Sequence, residues 1–248
     1  MNQYFDDELL QEFMYNFYGY GNYQGDYWFV GMEEGGGDSV AEINQRITTW
    51  DQRGRSELED VVDYHRALGI DWPFAEKPKL QSTWSKLIRV LLSMQGQNPT
   101  TDEVRFYQQR HWARQTGSVC LLELLPLPSP STRQWIYGQY SQLSDLVSRE
   151  YYRTVWSELR VKALQQRILQ HKPKVVIFYS FSYLTYWQEI TGDTLQLALS
   201  GNIYAQQHVD RLYVVLKHPV ATGVTNEYFH QAGRYIHLNL AGNLPDMK

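Results

Sequence analysis

The apolar run Tyr27 to Met32 passes without a break into Glu33-Glu34-Gly35-Gly36-Gly37-Asp38-Ser39, and this junction limits what the chain can fold into. The run has strand length, the three glycines permit a tight turn, and Asp38 or Ser39 can cap a helix reaching about Trp50. Strand, turn and helix in that order are the repeating unit of an α/β domain built on a mainly parallel sheet. In such a sheet, ligands bind outside the carboxyl ends of the strands. Glu33 and Glu34 stand at one of those ends.

The same pattern recurs along the chain. An opening helix is predicted at about 6–17, where Leu9, Leu10, Phe13 and Phe17 fall at helical spacing. Residues 56–116 read as a helical insertion of three helices, broken at Trp72-Pro73 and Asn98-Pro99. Val119 to Leu125 is a buried strand ending at Pro126. A long helix at roughly Arg149 to Gln170 leads to a strand at Lys174 to Tyr179. A short helix at Tyr183 to Glu189, a hairpin-like pair at Ile203 to His208 and Leu212 to Lys217, and a helix near Asn226 to Ile236 complete the chain. With 43% hydrophobic residues in 248, there is apolar material for one core, and residues 1–248 read as a single domain. The expected architecture is three-layer α/β/α around a central, mostly parallel four-stranded sheet.

No stretch reaches the roughly 18 apolar residues of a membrane span, and the start is acidic, so neither a span nor a signal peptide is expected. The single cysteine, Cys120, excludes an internal disulfide, a four-cysteine zinc site and a cysteine-held iron–sulfur cluster. The expectation is a cytoplasmic protein with no cofactor and no metal; its oligomeric state is left open.

Charge is unevenly placed. Residues 1–76 hold 16 acids and 4 bases, while residues 77–248 hold 11 acids and 19 bases. Arg149, Arg153, Arg160, Lys162, Arg167, Lys172 and Lys174 fall within 26 residues that hold only two acids. This run is either a phosphate-facing stripe or a solvated helix face. The acidic first third is open to a different use, as an interaction surface. The 19 Tyr and 8 Trp serve either as core material or as stacking platforms for bases, which composition does not separate.

Collecting the strand ends brings together Glu33 and Glu34, Glu123, Tyr179 and Ser180, and His218. Structural alternatives stand beside each: the paired glutamates cap the glycine turn, Glu123 pairs with an arginine, or His218 precedes the turn at Pro219. Taken in order, Trp28-Phe29-Val30-Gly31-Met32-Glu33-Glu34-Gly35, Cys120 to Pro126, Lys174 to Phe178, and Val214 to Thr222 with its His218-Pro219 resemble the ordered segments of the uracil-DNA glycosylase superfamily. The likeness spans roughly residues 27–237. It implies a four-stranded parallel sheet and cleavage of an N-glycosidic bond after a base has left the stack, in DNA or single-stranded nucleic acid.

The resemblance also implies roles. Glu33 would orient water and offset positive charge on the sugar, and His218 would donate to the departing base. Gly31, Met32, Glu34, Gly35, Glu123 and Trp50 would line the base pocket, with Tyr27, Trp28 and Trp50, near the first motif, as candidates to stack on the base. The charge run, and not the resemblance, offers Arg149, Arg153, Arg160 and Arg167 to meet the strand, with Thr222 of the last motif beside them. Departures matter too: Glu34 replaces a usual proline, Val220 and Ala221 replace a serine-containing loop, and Glu123 stands where an asparagine reads uracil. An ionised glutamate only accepts hydrogen bonds, so a non-uracil or modified base is expected. The alternative function is a catalytically silent nucleic-acid or nucleotide binder on the same fold.

Overall fold

A computed structural model describes residues 4–131 and 133–242. The junction that opened the argument folds as expected, with β2 (Tyr27–Glu33) running into α2 (Val40–Gln52). Ser39 caps that helix, its Oγ accepting from the Glu42 amide at 3.1 Å. Of the four ordered segments singled out in the sequence, the first supplies β2 and the other three supply β4 (Val119–Leu125), β5 (Val175–Tyr179) and β8 (Leu212–Leu216), each buried for most or all of its length. Together with β2 they form the parallel centre of the sheet, in the order β4-β2-β5-β8.

The sheet is mixed and has eight strands among the described residues, not the four expected. On one side β1 (Gly19–Gly21) runs antiparallel to β4 and carries the two-residue β3 (Leu58–Glu59) at the edge. On the other side β7 (Ile203–Gln207) returns antiparallel to β8, as the predicted hairpin, and β6 (Gln196–Ala198) lies outside it. Strand β1 carries no alternating pattern because two of its three residues are glycine. The backbone of β4 demands them, since a Cβ on Gly19 would lie 2.1 Å from the Leu121 carbonyl oxygen.

Helices cover both faces. Trp28 packs 6.0 Å from the ring of His171, the last residue of α7 (Arg149–His171), which follows the one-turn α6 (Tyr137–Tyr140), and Phe178 stacks at 5.1 Å on Trp187 of α8 (Leu184–Thr191). The next residue along β2, Phe29, points the opposite way, onto Trp112 at 5.3 Å. The predicted insertion contains α3 (Val61–Ala67), α4 (Ser82–Met94) and α5 (Thr101–Arg110). Helix α4 packs closely on α9 (Asn226–Leu240), where a Cβ on Gly233 would come within 2.6 Å of the Val90 carbonyl. The opening helix α1 spans Asp7–Asn16, capped by the Asp6 carboxylate. No helix among the described residues is long and apolar enough to cross a membrane.

Candidate functional site

The carboxyl ends of β2, β4 and β5, with the segment after β8, open onto one cleft of about 680 Å³. Glu33 ends β2, Glu123 stands near the end of β4, Tyr179 ends β5, and His218 follows β8 by two residues. Glu34, Met32 and Gly35 also line the cleft. Sequence reasoning therefore brings Glu33, Glu34, Glu123, Tyr179 and His218 to one place, on separate strands that only the fold unites.

At the floor, Gly31 lies opposite Glu123 in the sheet register, and Tyr179 follows the pair Val30–Phe178 on the other side. A Cβ on Gly31 would sit 2.1 Å from Tyr179 Oη and 2.3 Å from Glu123 Oε2, so glycine is what leaves room for the two side chains to meet. They do meet: Tyr179 Oη donates to Glu123 Oε1 at 2.9 Å. Glu123 Oε2 is buried without a partner. Burial pushes this carboxyl well above the ordinary carboxylate range; the Tyr179 hydrogen bond works against that, and the charges of Glu34 and Glu33 reinforce it. The sequence argument treated Glu123 as ionised. Desolvation instead favours the neutral acid, which carries a donor as well as an acceptor.

Glu33 is held by Arg149 from the first turn of α7. Another nitrogen of the same guanidinium donates to Ser129 Oγ at 2.7 Å and to the Ser131 carbonyl at 2.9 Å, tying the loop after β4 to the end of β2. Burial raises the Glu33 carboxyl, and Arg149 and then Arg153 hold it back. Glu34 accepts from Tyr20 Oη at 3.0 Å and lies 3.3 Å from Arg46 Nη1. Neither glutamate is merely a cap on the glycine turn.

His218 Nδ1 accepts from the Val220 amide at 3.3 Å, which leaves the proton of the neutral ring on Nε2. Burial lowers its pKa and so favours that neutral form. Its ring meets Tyr179 edge-on at 6.0 Å. Across the cleft, His65 lies with Nδ1 2.7 Å from the Val61 carbonyl, edge-on to Trp84 at 5.3 Å, and burial lowers its pKa too. Exposed Trp72 lines the same cleft.

The arginines of α7 correct the sequence reading. Arg160 is fully buried and donates to four backbone carbonyls, those of Leu124, Phe17, Glu123 and Met14 at 2.8 to 3.4 Å. It cannot reach a phosphate. Arg167 is paired with Glu57 at 2.7 Å and lies 3.7 Å from the centre of the Tyr18 ring. Arg153 lies over Tyr183, and Arg149 is committed to Glu33. These four arginines form neither a phosphate-facing stripe nor a solvated face. Trp50 is also excluded from base stacking, being buried against Phe13 with its Nε1 donating to the Ser56 carbonyl at 2.8 Å. Trp28 is equally buried, and Thr222 is exposed on the loop before α9, apart from the cleft lining.

Tyr20, Arg46, His65, Trp72 and Trp84 were not anticipated. One signal was available for Arg46: Ile43, Ile47 and Trp50 form the inward stripe of α2, and position 46 falls on it. Among the described residues, no group of three His, Cys, Asp or Glu side chains is gathered to hold a metal ion. No family model matches the chain, and no curated protein matches it.

Proposed function

We propose that the cleft receives a base swung out of a nucleic-acid strand and hydrolyses its N-glycosidic bond, as a divergent member of the uracil-DNA glycosylase superfamily. The observation that carries this reading is the meeting of Glu33, Glu123 and His218, from three different strand segments, on one cleft at the carboxyl edge of a parallel four-strand centre. The resemblance expects that convergence, and unrelated placement of the three segments would have separated them.

Breaking an N-glycosidic bond builds positive charge on the sugar and negative charge on the base. Glu33 answers the first, offsetting the sugar charge and taking a proton from water, with Arg149 fixing its carboxylate. His218 answers the second, because Nε2–H is the nitrogen left free to donate. Trp72 offers an exposed ring at which a base or its neighbour stacks. The test is single-turnover base release from oligonucleotides carrying uracil, hypoxanthine, xanthine or a mismatched base. Glu33→Gln is expected to lower the rate by roughly 100-fold or more while leaving binding nearly intact.

One observation favours the second reading, a silent binder. Glu33 is already engaged by a largely buried arginine, an arrangement that also serves simply to fasten the loop at Ser129. Binding of the oligonucleotides with no release of any base selects that reading.

A further inference from the structure

We propose that Glu123 is the general acid of this cleft, and that it selects purines by protonating N7 of a neutral purine as the base departs. The inference rests on the hydrolase reading above and adds the substrate class. Its geometric basis is the unequal treatment of the two carboxyl oxygens. Oε1 accepts from Tyr179 Oη at 2.9 Å; Oε2 is buried and partnerless. A buried carboxylate oxygen with no donor is costly, whereas a carboxylic O–H at that position is a donor awaiting an acceptor.

The groups around it support a proton held on Oε2. Tyr179 faces it from β5, Glu33 ends β2 and Glu34 follows it. Arg160 on α7 donates to the Glu123 backbone carbonyl at 3.1 Å, with no hydrogen bond to the carboxyl. Burial accordingly raises the pKa, and both neighbouring carboxylates raise it further. Tyr179 and the Oε2 of Glu123 both fill the space that a Cβ on Gly31 would take, so the acid is packed in place over that glycine.

The leaving group decides which bases benefit. Uracil departs as an anion that hydrogen-bond donors such as His218 can stabilise. A neutral purine departs poorly unless N7 is protonated. In the proposed step the Oε2 proton moves to N7, and the C1′–N9 bond breaks with its electron pair going to the base. Water then adds to C1′ and gives its proton to Glu33. The products are the neutral purine and an abasic sugar, and solvent returns a proton to Glu123 and removes one from Glu33.

Single-stranded oligonucleotides carrying one deoxyinosine, one deoxyadenosine or one 7-methyldeoxyguanosine separate the possibilities. The methylated base already carries the positive charge that the acid would supply. Glu123→Gln keeps the shape and a donor but has no proton to transfer. Release of hypoxanthine or adenine is expected to fall about 100-fold or more, and release of 7-methylguanine by less than about tenfold. Should the variant fold poorly, the wild type gives the same answer. Its rate on deoxyinosine is expected to fall as pH rises and the acid ionises, while its rate on the methylated base holds. Equal losses on both substrates, or parallel pH profiles, overturn the acid role while leaving the hydrolase reading intact. No release from any substrate, including the methylated one, overturns both.

Discussion

The guanidinium of Arg160 lies 3.5 Å from the centre of the Tyr18 ring, sealed between α7 and the edge of the sheet. Its donors hold carbonyls from α1, the segment after it and β4, so one side chain joins three parts of the chain. Replacing it with Met takes from those carbonyls the donors that Arg160 supplies. Arg160→Met is therefore expected to destabilise the fold by roughly 3–5 kcal/mol, because several buried carbonyls each lose a donor at a cost of about 1–3 kcal/mol for any left unsatisfied. Urea denaturation measures this. A change under about 0.5 kcal/mol, as for an exposed arginine, would contradict the buried assignment.

Gly31 should tolerate no side chain. Alanine there drives Tyr179 and Glu123 apart, since its Cβ would overlap both. Gly31→Ala is expected to cost about 1–3 kcal/mol from overpacking and to abolish base release. Replacing the ring in the double variant Gly31→Ala/Tyr179→Leu removes both Tyr179 atoms that the new Cβ would meet, Oη at 2.1 Å and Cζ at 2.4 Å, so part of the stability should return. If the double variant is no more stable than the single one, the contact is not the source of the strain.

Much of this site was legible because its residues sit where α/β chemistry puts them, at or near the ends of apolar runs of strand length. Glu33, Glu123, Tyr179 and His218 could each be found that way. The sheet edges could not: β1 is Gly-Tyr-Gly and β3 has two residues, and neither carries a period that marks a strand. The arginines of α7 were misread for a different reason. Arg153, Arg160 and Arg167 recur every seven residues, nearly two helical turns, and so share one line along the helix. Position 160 also continues the spacing of Tyr152, Trp156, Leu164 and Ile168, all buried. Charge drew attention to the run, but the helical period decides which way it faces.

Trp72 is exposed at the cleft while Trp84 is buried beside His65, so the two indoles have different tasks. Trp72→Ala should leave stability within about 0.5 kcal/mol of the wild type. Stacking on a base is worth about 1–3 kcal/mol, so the variant should raise KM roughly 10- to 100-fold with little change in kcat. Equilibrium binding of an oligonucleotide, followed by tryptophan fluorescence, reads the same loss. Unchanged affinity would remove Trp72 from the binding surface.

The state of Glu123 has a signature in stability that needs no substrate. In the unfolded chain this carboxyl ionises near its ordinary value of 4.5, and in the folded protein burial holds it neutral to a higher pH. Between those two values the folded state binds more protons than the unfolded state, so stability falls as pH rises. The contribution is fully present below about pH 4.5 and is lost as pH climbs through the folded value. Glu33, also raised, adds a trend of the same sign; His218 and His65, both lowered, lose stability as pH falls below 6.5. Comparing the wild type with Glu123→Gln at each pH cancels those other groups. The variant should gain on the wild type by up to about 1.4 kcal/mol per pH unit from pH 4.5 upward, levelling once the folded carboxyl ionises. Denaturant midpoints measured from pH 4 to pH 8 give the curve. A difference that is flat with pH, or that grows toward acid, would mean that the folded carboxyl is ionised and that Oε2 carries no proton into the cleft.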